Sequence, residues 1–392
     1  MAGDAVVFIP GIKGTKLVET NLATWDTIWS GIQTNFETIE DLELTSAYKG
    51  RFFEENPDCI IQPGEIETLA YGEFLRDLKT DKPVYIFNYD WRLSARTNGS
   101  RLAEFLDYLI AKSKARAKGS GKAIKSFDFI THSLGNFILR NYLFHHGFAR
   151  VNKIVFTVPP FRGSIDIVSA ALIGEGVFPN VKAKIRKFIR TFPGALELLP
   201  DYDNASMFLP RGRHSFFKFS HWQDNVTKPN DPVSTKMKKA LRLAKAVTQN
   251  ELCDLSALTA EQRRRILIIV RSGYETWQSV PVYKKGIDGT RNFVDFDQAI
   301  RTTDGDGRVP HISSCCYCDT VQTLVMTDSF WYREYSHGFV LKDERLQKLV
   351  NRFLFSNRFK AKIPGGSIRR VEKIIPQTDK NTNLPYWQIK SM

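Results

Sequence analysis

Short runs of consecutive apolar residues recur along the first part of the chain. Each closes in glycine, proline or a small polar turn, and the gaps between them leave room for helices. Ala5-Val6-Val7-Phe8-Ile9 is the first run, read as a strand that ends in the tight loop Pro10-Gly11-Ile12-Lys13-Gly14. Residues 83–89 predict a second strand, followed by Asp90-Trp91-Arg92. Leu102, Phe105, Leu106 and Leu109 share one helical face and predict a helix over 99–118, with a basic end and a stop at Gly119-Ser120-Gly121. A strand at 127–130, a helix at 136–144 and a strand at 153–158 closed by Pro159-Pro160 continue the alternation.

Strand and helix in turn over residues 1–160 predict a mainly parallel sheet with helices on both faces. Within this first part, residues 22–65 read as a surface excursion, with Trp25, Trp29 and Phe36 among polar positions. The rhythm breaks over 161–265, where basic residues, scattered Phe, Pro and Gly, and helices near 181–192 and 233–248 suggest an inserted cap. It resumes over 266–356, with strands at 265–270 and 320–326 and a last amphipathic helix at 339–355. The basic, Pro- and Gly-punctuated tail, 357–392, has no assigned role.

Charge adds a partner to this outline. Lys and Arg number 56 against 42 Asp and Glu, a net +14 that attracts anionic surfaces. No nucleic-acid module is recognisable, so nucleic acid is not expected and an anionic membrane surface is the better fit; solubility alone is the plainer explanation. The 28 Phe suit a thick core first and the walls of an apolar pocket second. No run approaches transmembrane length, and no secretory leader precedes the first strand. Five cysteines without framework spacing fit free thiols in a reducing compartment. A cytoplasmic location with membrane contact is the expectation.

The candidate chemistry lies at Thr131-His132-Ser133-Leu134-Gly135, between a strand and a helix. A serine on so sharp a turn is the nucleophile-elbow arrangement, which requires small residues two positions either side. Gly135 meets that demand, and Thr131 departs from it. A serine at a strand-to-helix junction is more often a simple N-cap, so the string alone is weak. The strand–turn–helix context strengthens it. Leu134 N–H would then face a developing oxyanion, and Ile12 N–H in the Gly11 loop is the second candidate donor.

An attacking serine needs an imidazole, and the imidazole needs a carboxylate, in the chain order Ser, acid, His. Thr303-Asp304-Gly305-Asp306-Gly307 supplies an acidic loop, and Asp306 is preferred over Asp304, though sequence physics does not separate them. The loop lacks the further acidic positions of a calcium site. His337 follows the last core strand and precedes the last helix, where the base belongs. Cys315, Cys316 and Cys318 are too close together to surround one zinc ion, and no metal or cofactor is expected.

With these pieces assembled, the chain resembles the lecithin:cholesterol acyltransferase-like family of lipases and acyltransferases. Residues 9–17 look like its P-G-x-x-G-x-x-L opening, Tyr89-Asp90-Trp91-Arg92 is similar to its Y-D-W-R signature, and His132-Ser133-Leu134-Gly135 resembles its nucleophile turn. Phe192-Pro193 through Leu198-Leu199-Pro200 looks like a cap segment, and Gly305-Asp306-Gly307 with Ser336-His337 matches its acid and base. The resemblance implies an α/β-hydrolase fold and a Ser133–His337–Asp306 mechanism through an acyl-enzyme, on phospholipase A-like substrates, with water or an alcohol as acceptor. It favours Asp306 over Asp304, and it places Trp25 and Trp29 in an aromatic lid. Two departures from secreted members are the missing cysteine pair that would close that lid and the missing signal peptide. Asp90 and Arg92 read as a structural ion pair. A serine hydrolase of small non-lipid esters or amides, and a catalytically silent α/β-hydrolase that binds a lipid or a partner, are the competing readings.

Overall fold

The first apolar run lies inside a seven-stranded sheet. A computed structural model describes residues 4–19, 27–29, 44, 48–49, 52–53, 61–117, 123–174, 179–210, 212–286, 288–327, 337–356 and 368–371. The strands of the central sheet are β1 (Ala5–Ile9), β2 (Val84–Ile86), β3 (Phe127–His132), β4 (Val151–Thr157), β5 (Ile266–Arg271), β6 (Thr323–Met326) and β7 (Ile368–Val371). Their order is β7-β6-β5-β4-β3-β1-β2, parallel throughout except that β7 runs antiparallel to β6. This mostly parallel sheet, covered by helices, is an α/β-hydrolase fold. The edge strand β7 comes from the tail, to which the sequence pattern assigned no structure.

Parallel strands buried on both faces need side chains that are apolar at every position. In β1, Ala5, Val7 and Ile9 enter one core while Val6 and Phe8 enter the other. Helices α1 (Thr68–Arg76) and α7 (Glu344–Phe355) cover the Val6 and Phe8 face with Tyr71, Phe74, Leu346, Leu349 and Phe353. On the opposite face lie α2 (Ala95–Ala117) and α3 (Gly135–His146), with Leu102, Leu106, Phe137 and Ile138.

Helix α2 starts four positions before the expected residue 99 because its cap is distant in sequence. Glu197 accepts the Ala95 N–H at 2.8 Å and the Ser94 hydroxyl. Such a partner leaves no local signal. Helix α7 begins at Glu344 instead of 339, where Asp343 caps it by accepting the Arg345 N–H at 2.9 Å. Asp343 also pairs with the buried Arg271 at 3.1 Å, which ties the end of β5 to the start of α7. Asp90 and Arg92 form a fully buried ion pair at 2.7 Å in the turn after β2.

Between β4 and β5 the chain forms α4 (Ile165–Leu172), α5 (Pro179–Ile189) and α6 (Pro232–Asn250). A second sheet joins Ser206–Leu209 to Thr276–Lys285 in parallel, with Arg291–Val294 and Ile300–Thr302 antiparallel to the latter. It therefore spans the expected boundary at residue 265. In the early excursion, Thr15–Glu19 pairs with Thr27–Trp29 and Ile61–Ile66. Trp25 lies outside the described residues, and Trp29 is described only by its backbone.

Candidate active site

Sheet order reverses around β1. From β1 the chain crosses to β2 on one side and then returns to β3 on the other. Loops leaving the carboxyl ends of two strands at such a switch point diverge and open a crevice. β1 and β3 are in register through Ile9 and Thr131. The Pro10–Gly14 loop and the Ser133 turn therefore leave the sheet side by side. Contact between them demands glycine. A Cβ on Gly11 would lie 2.8 Å from His132 Nδ1 and 2.9 Å from Ser133 Cβ, and one on Gly135 would lie 2.5 Å from the Ile9 carbonyl.

Ser133 has φ of +50°, the left-handed region that a non-glycine residue enters only when its surroundings hold it there. Its N–H donates to the Thr157 carbonyl at 3.2 Å, and its own carbonyl accepts from Asn136 N at 3.0 Å. Thr131 fits where a glycine is usual because its hydroxyl donates to Asn136 Oδ1 at 2.7 Å, inside the buried turn. Helix α3 begins directly after the serine, with its positive end toward the hydroxyl.

Asp306, His337 and Ser133 stand in one line. His337 Nδ1–H donates to Asp306 Oδ2 at 2.6 Å, which leaves Nε2 to accept from the Ser133 hydroxyl at 2.8 Å. The second Asp306 oxygen accepts the N–H groups of Arg308 at 2.9 Å and Val309 at 2.7 Å. Burial pushes the Asp306 carboxyl upward, but His337 and these donors outweigh it and hold the group below its ordinary value. Gly305 makes the loop possible, since a Cβ there would collide with the Thr276 side chain. Asp304 points elsewhere, with His311 Nδ1 3.9 Å away and the Ser272 hydroxyl 3.4 Å away. His311 itself is held through Nε2 by the Arg271 carbonyl at 3.1 Å.

Ile12, Lys13 and His337 line a cleft of about 200 Å³ that reaches Ser133. Its other walls include Ile167 of α4, Ile189 of α5 and Leu198, with Asp166 and Arg308 adding charge. Leu134 is fully buried at the first position after the serine, and its N–H and that of Ile12 have no hydrogen-bond partner among the described residues. The arrangement can deliver a serine hydroxyl and a base to take its proton at one apolar cleft, with Ile12 on its wall. Cys315 and Cys316 lie apart from it, and burial pushes both thiols up to about 12.

Sequence reading missed a second layer. Tyr71 of α1 and His132 of the elbow turn are both buried, and Tyr71 Oη lies 2.8 Å from His132 Nδ1. Burial, followed by the nearby His337, holds the His132 pKa down to about 3, although its hydrogen bond to the His337 carbonyl and the charge of Asp306 act the other way. A histidine in the unfolded chain protonates near 6.5. Between those values the unfolded chain takes up a proton that the folded one refuses, so stability is full above 6.5 and drains as pH falls toward 3. From pH 7 to pH 5 this contributes about 2 kcal/mol of lost stability. In urea unfolding at those two pH values, His132→Gln should lose about 2 kcal/mol less than wild type. An equal loss in both proteins would contradict a buried neutral His132.

The family model for lecithin:cholesterol acyltransferase matches residues 78–262, a span that includes Tyr89–Arg92 and Ser133. Over those residues the chain is similar to lecithin:cholesterol acyltransferase. The match covers just under half of the chain, and it supports hydrolysis or transfer of lipid acyl esters as the general class of chemistry. Asp306 and His337 lie beyond the matched span. No curated protein sequence matches it. A chain of the Tle4–Tli4 complex, 13% identical, superposes over 89% of this chain and 97% of its own length with a TM-score of 0.59, a likeness of fold. Bacillus licheniformis lipase BlEst2 in its mature form is 11% identical over 89% of this chain and 92% of its own, with a TM-score of 0.36. Phospholipase PlaB from Legionella pneumophila is 13% identical over 90% and 59%, with a TM-score of 0.30. Among the described residues, no helix is long and apolar enough to cross a membrane.

Proposed function

We propose that the chain is a serine esterase of lipid acyl groups, phospholipase A-like, working through Ser133, His337 and Asp306. The observation that carries this reading is the Ser133–His337–Asp306 hydrogen-bonded line at the mouth of an apolar cleft. His337 Nε2 takes the Ser133 proton as Oγ attacks the ester carbonyl, and Asp306 holds the resulting imidazolium. Ile12 and Leu134 N–H groups receive the oxyanion. Collapse breaks the bond to the alcohol, which leaves with the proton from His337, and the acyl group stays on Ser133. Water, or a second alcohol, then gives its proton to His337 and attacks the acyl carbon, and as the bond to Ser133 Oγ breaks His337 returns that proton to Oγ. Residues 161–265 act as the cap, placing Ile167, Ile189 and Leu198 where an acyl chain would lie. Lys13 and Arg308 at the same cleft suit a phosphate-bearing headgroup. The net charge of +14 favours an anionic membrane surface.

Vesicles of mixed phosphatidylcholine and phosphatidylglycerol, with products resolved by mass spectrometry, test this reading. Free fatty acid and lysophospholipid should form with wild type and not with Ser133→Ala. A long-chain alcohol added to the vesicles should yield its ester if the enzyme transfers acyl groups. Raising salt from 50 to 500 mM should lower the rate on the anionic vesicles by roughly 3-fold or more, because exposed charges are screened within a few ångströms at the higher value. Untouched lipid beside cleavage of a soluble short-chain ester would favour a non-lipid hydrolase. Salt-independent lipid cleavage would remove the membrane-charge argument.

A further inference from the structure

Four groups outside the reacting atoms form a continuous chain, buried up to its part-buried last link: Gly11 N–H, Tyr71, His132 and the His337 carbonyl. Gly11 N lies 3.2 Å from Tyr71 Oη, Tyr71 Oη lies 2.8 Å from His132 Nδ1, and His132 Nε2 lies 2.9 Å from His337 O. Chemistry fixes every direction along it. The Gly11 amide can only donate to the Tyr71 oxygen, and because the His337 carbonyl forces the hydrogen of neutral His132 onto Nε2, Nδ1 accepts the one hydrogen of Tyr71. A neutral imidazole that accepts at Nδ1 carries its hydrogen on Nε2, and the His337 carbonyl can only accept. All donors and acceptors are satisfied by one tautomer and no other. Tyr71 and His132 are 3% exposed each, so the link between them is shielded from water that could substitute for a missing partner.

From this geometry we infer that Tyr71 and His132 are positioning residues, a strut that holds the Gly11 loop and the His337 loop at fixed distances from Ser133. The three loops come from different parts of the chain, and each carries one component of the proposed chemistry. Gly11 precedes Ile12, the proposed oxyanion donor; His132 precedes the serine; and the strut ends on the base's own backbone. The edge-on contact of the Tyr71 and His132 rings, with centroids 5.5 Å apart, and the packing of Tyr71 on Phe8 at 5.1 Å fix the strut against β1. Burial and the neighbouring His337 keep His132 neutral, the state the donor pattern requires. The inference rests on the proposed roles of Ser133, Ile12 and His337, but the strut itself can be tested without them.

Four proteins are compared: wild type, His132→Leu, His132→Gln and Tyr71→Phe. Glutamine can place an amide N–H near the position of Nε2 and donate to the His337 carbonyl, whereas leucine fills similar space and cannot. With a soluble short-chain ester, His132→Leu should lower kcat by about 10- to 100-fold with KM within about 3-fold, since misplacement of a reacting group by about 1 Å has effects of that size. His132→Gln should recover at least half of that loss on a logarithmic scale. Tyr71→Phe should lower kcat by roughly 10-fold through the Gly11 loop. Hydrogen exchange provides the independent readout: amides in 11–14 and 337–341 should exchange faster in His132→Leu, with β3 and β4 unchanged. Equal kcat losses in the leucine and glutamine variants would overturn the inference, as would unchanged exchange in both segments. Should His132→Leu fail to fold, Tyr71→Phe and His132→Gln decide by the same two readouts. If wild type shows no Ser133-dependent turnover, the proposed function fails, and exchange alone then judges the strut.

Discussion

Replacing Ser133 by alanine is expected to lower turnover of a soluble ester by at least about 10⁴-fold, the scale on which removal of one member of such a triad acts. Among the described residues the serine is the only hydroxyl that donates to His337 Nε2, and the elbow turn presents it to the cleft from a left-handed conformation. Alanine keeps that backbone and removes only a buried oxygen, so the melting temperature should stay within a few degrees. His337→Ala should cost a similar factor. Because the two act as a unit, Ser133→Ala with His337→Ala should be no slower than Ser133→Ala alone by more than about 3-fold. Steady-state kinetics on the three folded variants check this, and multiplying losses would show that the pair does not work together.

The second large effect separates two carboxylates that stand two positions apart. Asp306→Asn should lower kcat by about 10⁴-fold, because an amide can donate to His337 Nδ1 and stabilise the wrong tautomer. Asp306 Oδ2 lies 2.6 Å from that nitrogen, while its other oxygen is held by two backbone N–H groups. Asp304→Asn should change kcat by less than about 10-fold, since Asp304 faces His311 at 3.9 Å and not His337. Kinetics at pH 8 on both variants read the difference. Comparable losses from the two would contradict the assignment of Asp306 as the orienting acid.

The expectation for β1 matched the observed strand at both ends because every residue from Ala5 to Ile9 is buried, so the apolar run and the strand coincide. Elements whose limits depend on remote partners were less legible. The start of α2 is set by Glu197, 102 residues later in the chain. The second sheet was not anticipated, since its strands alternate imperfectly and its first member, Ser206–Leu209, is half-buried and only four residues long. Ser133, Asp306 and His337 could be nominated from loop order alone, and the structure brings them within hydrogen-bonding distance. Asp304 and Asp306 could not be separated on sequence physics, because their difference lies in which face of a glycine loop each side chain leaves. Tyr71 carried no signal at all. It is one apolar position on an amphipathic helix, and its meaning depends on Gly11, 60 residues before it, and His132, 61 residues after.

In the proposed chemistry Ser133 is a nucleophile activated by its neighbours. Treating the full chain with a fluorophosphonate and mapping the adduct by tandem mass spectrometry reads that activation out. One adduct per chain is expected, on Ser133, with labelling slowed at least about 10³-fold in His337→Ala. A folded wild-type protein that takes up no probe, or takes it up on another residue, would contradict it.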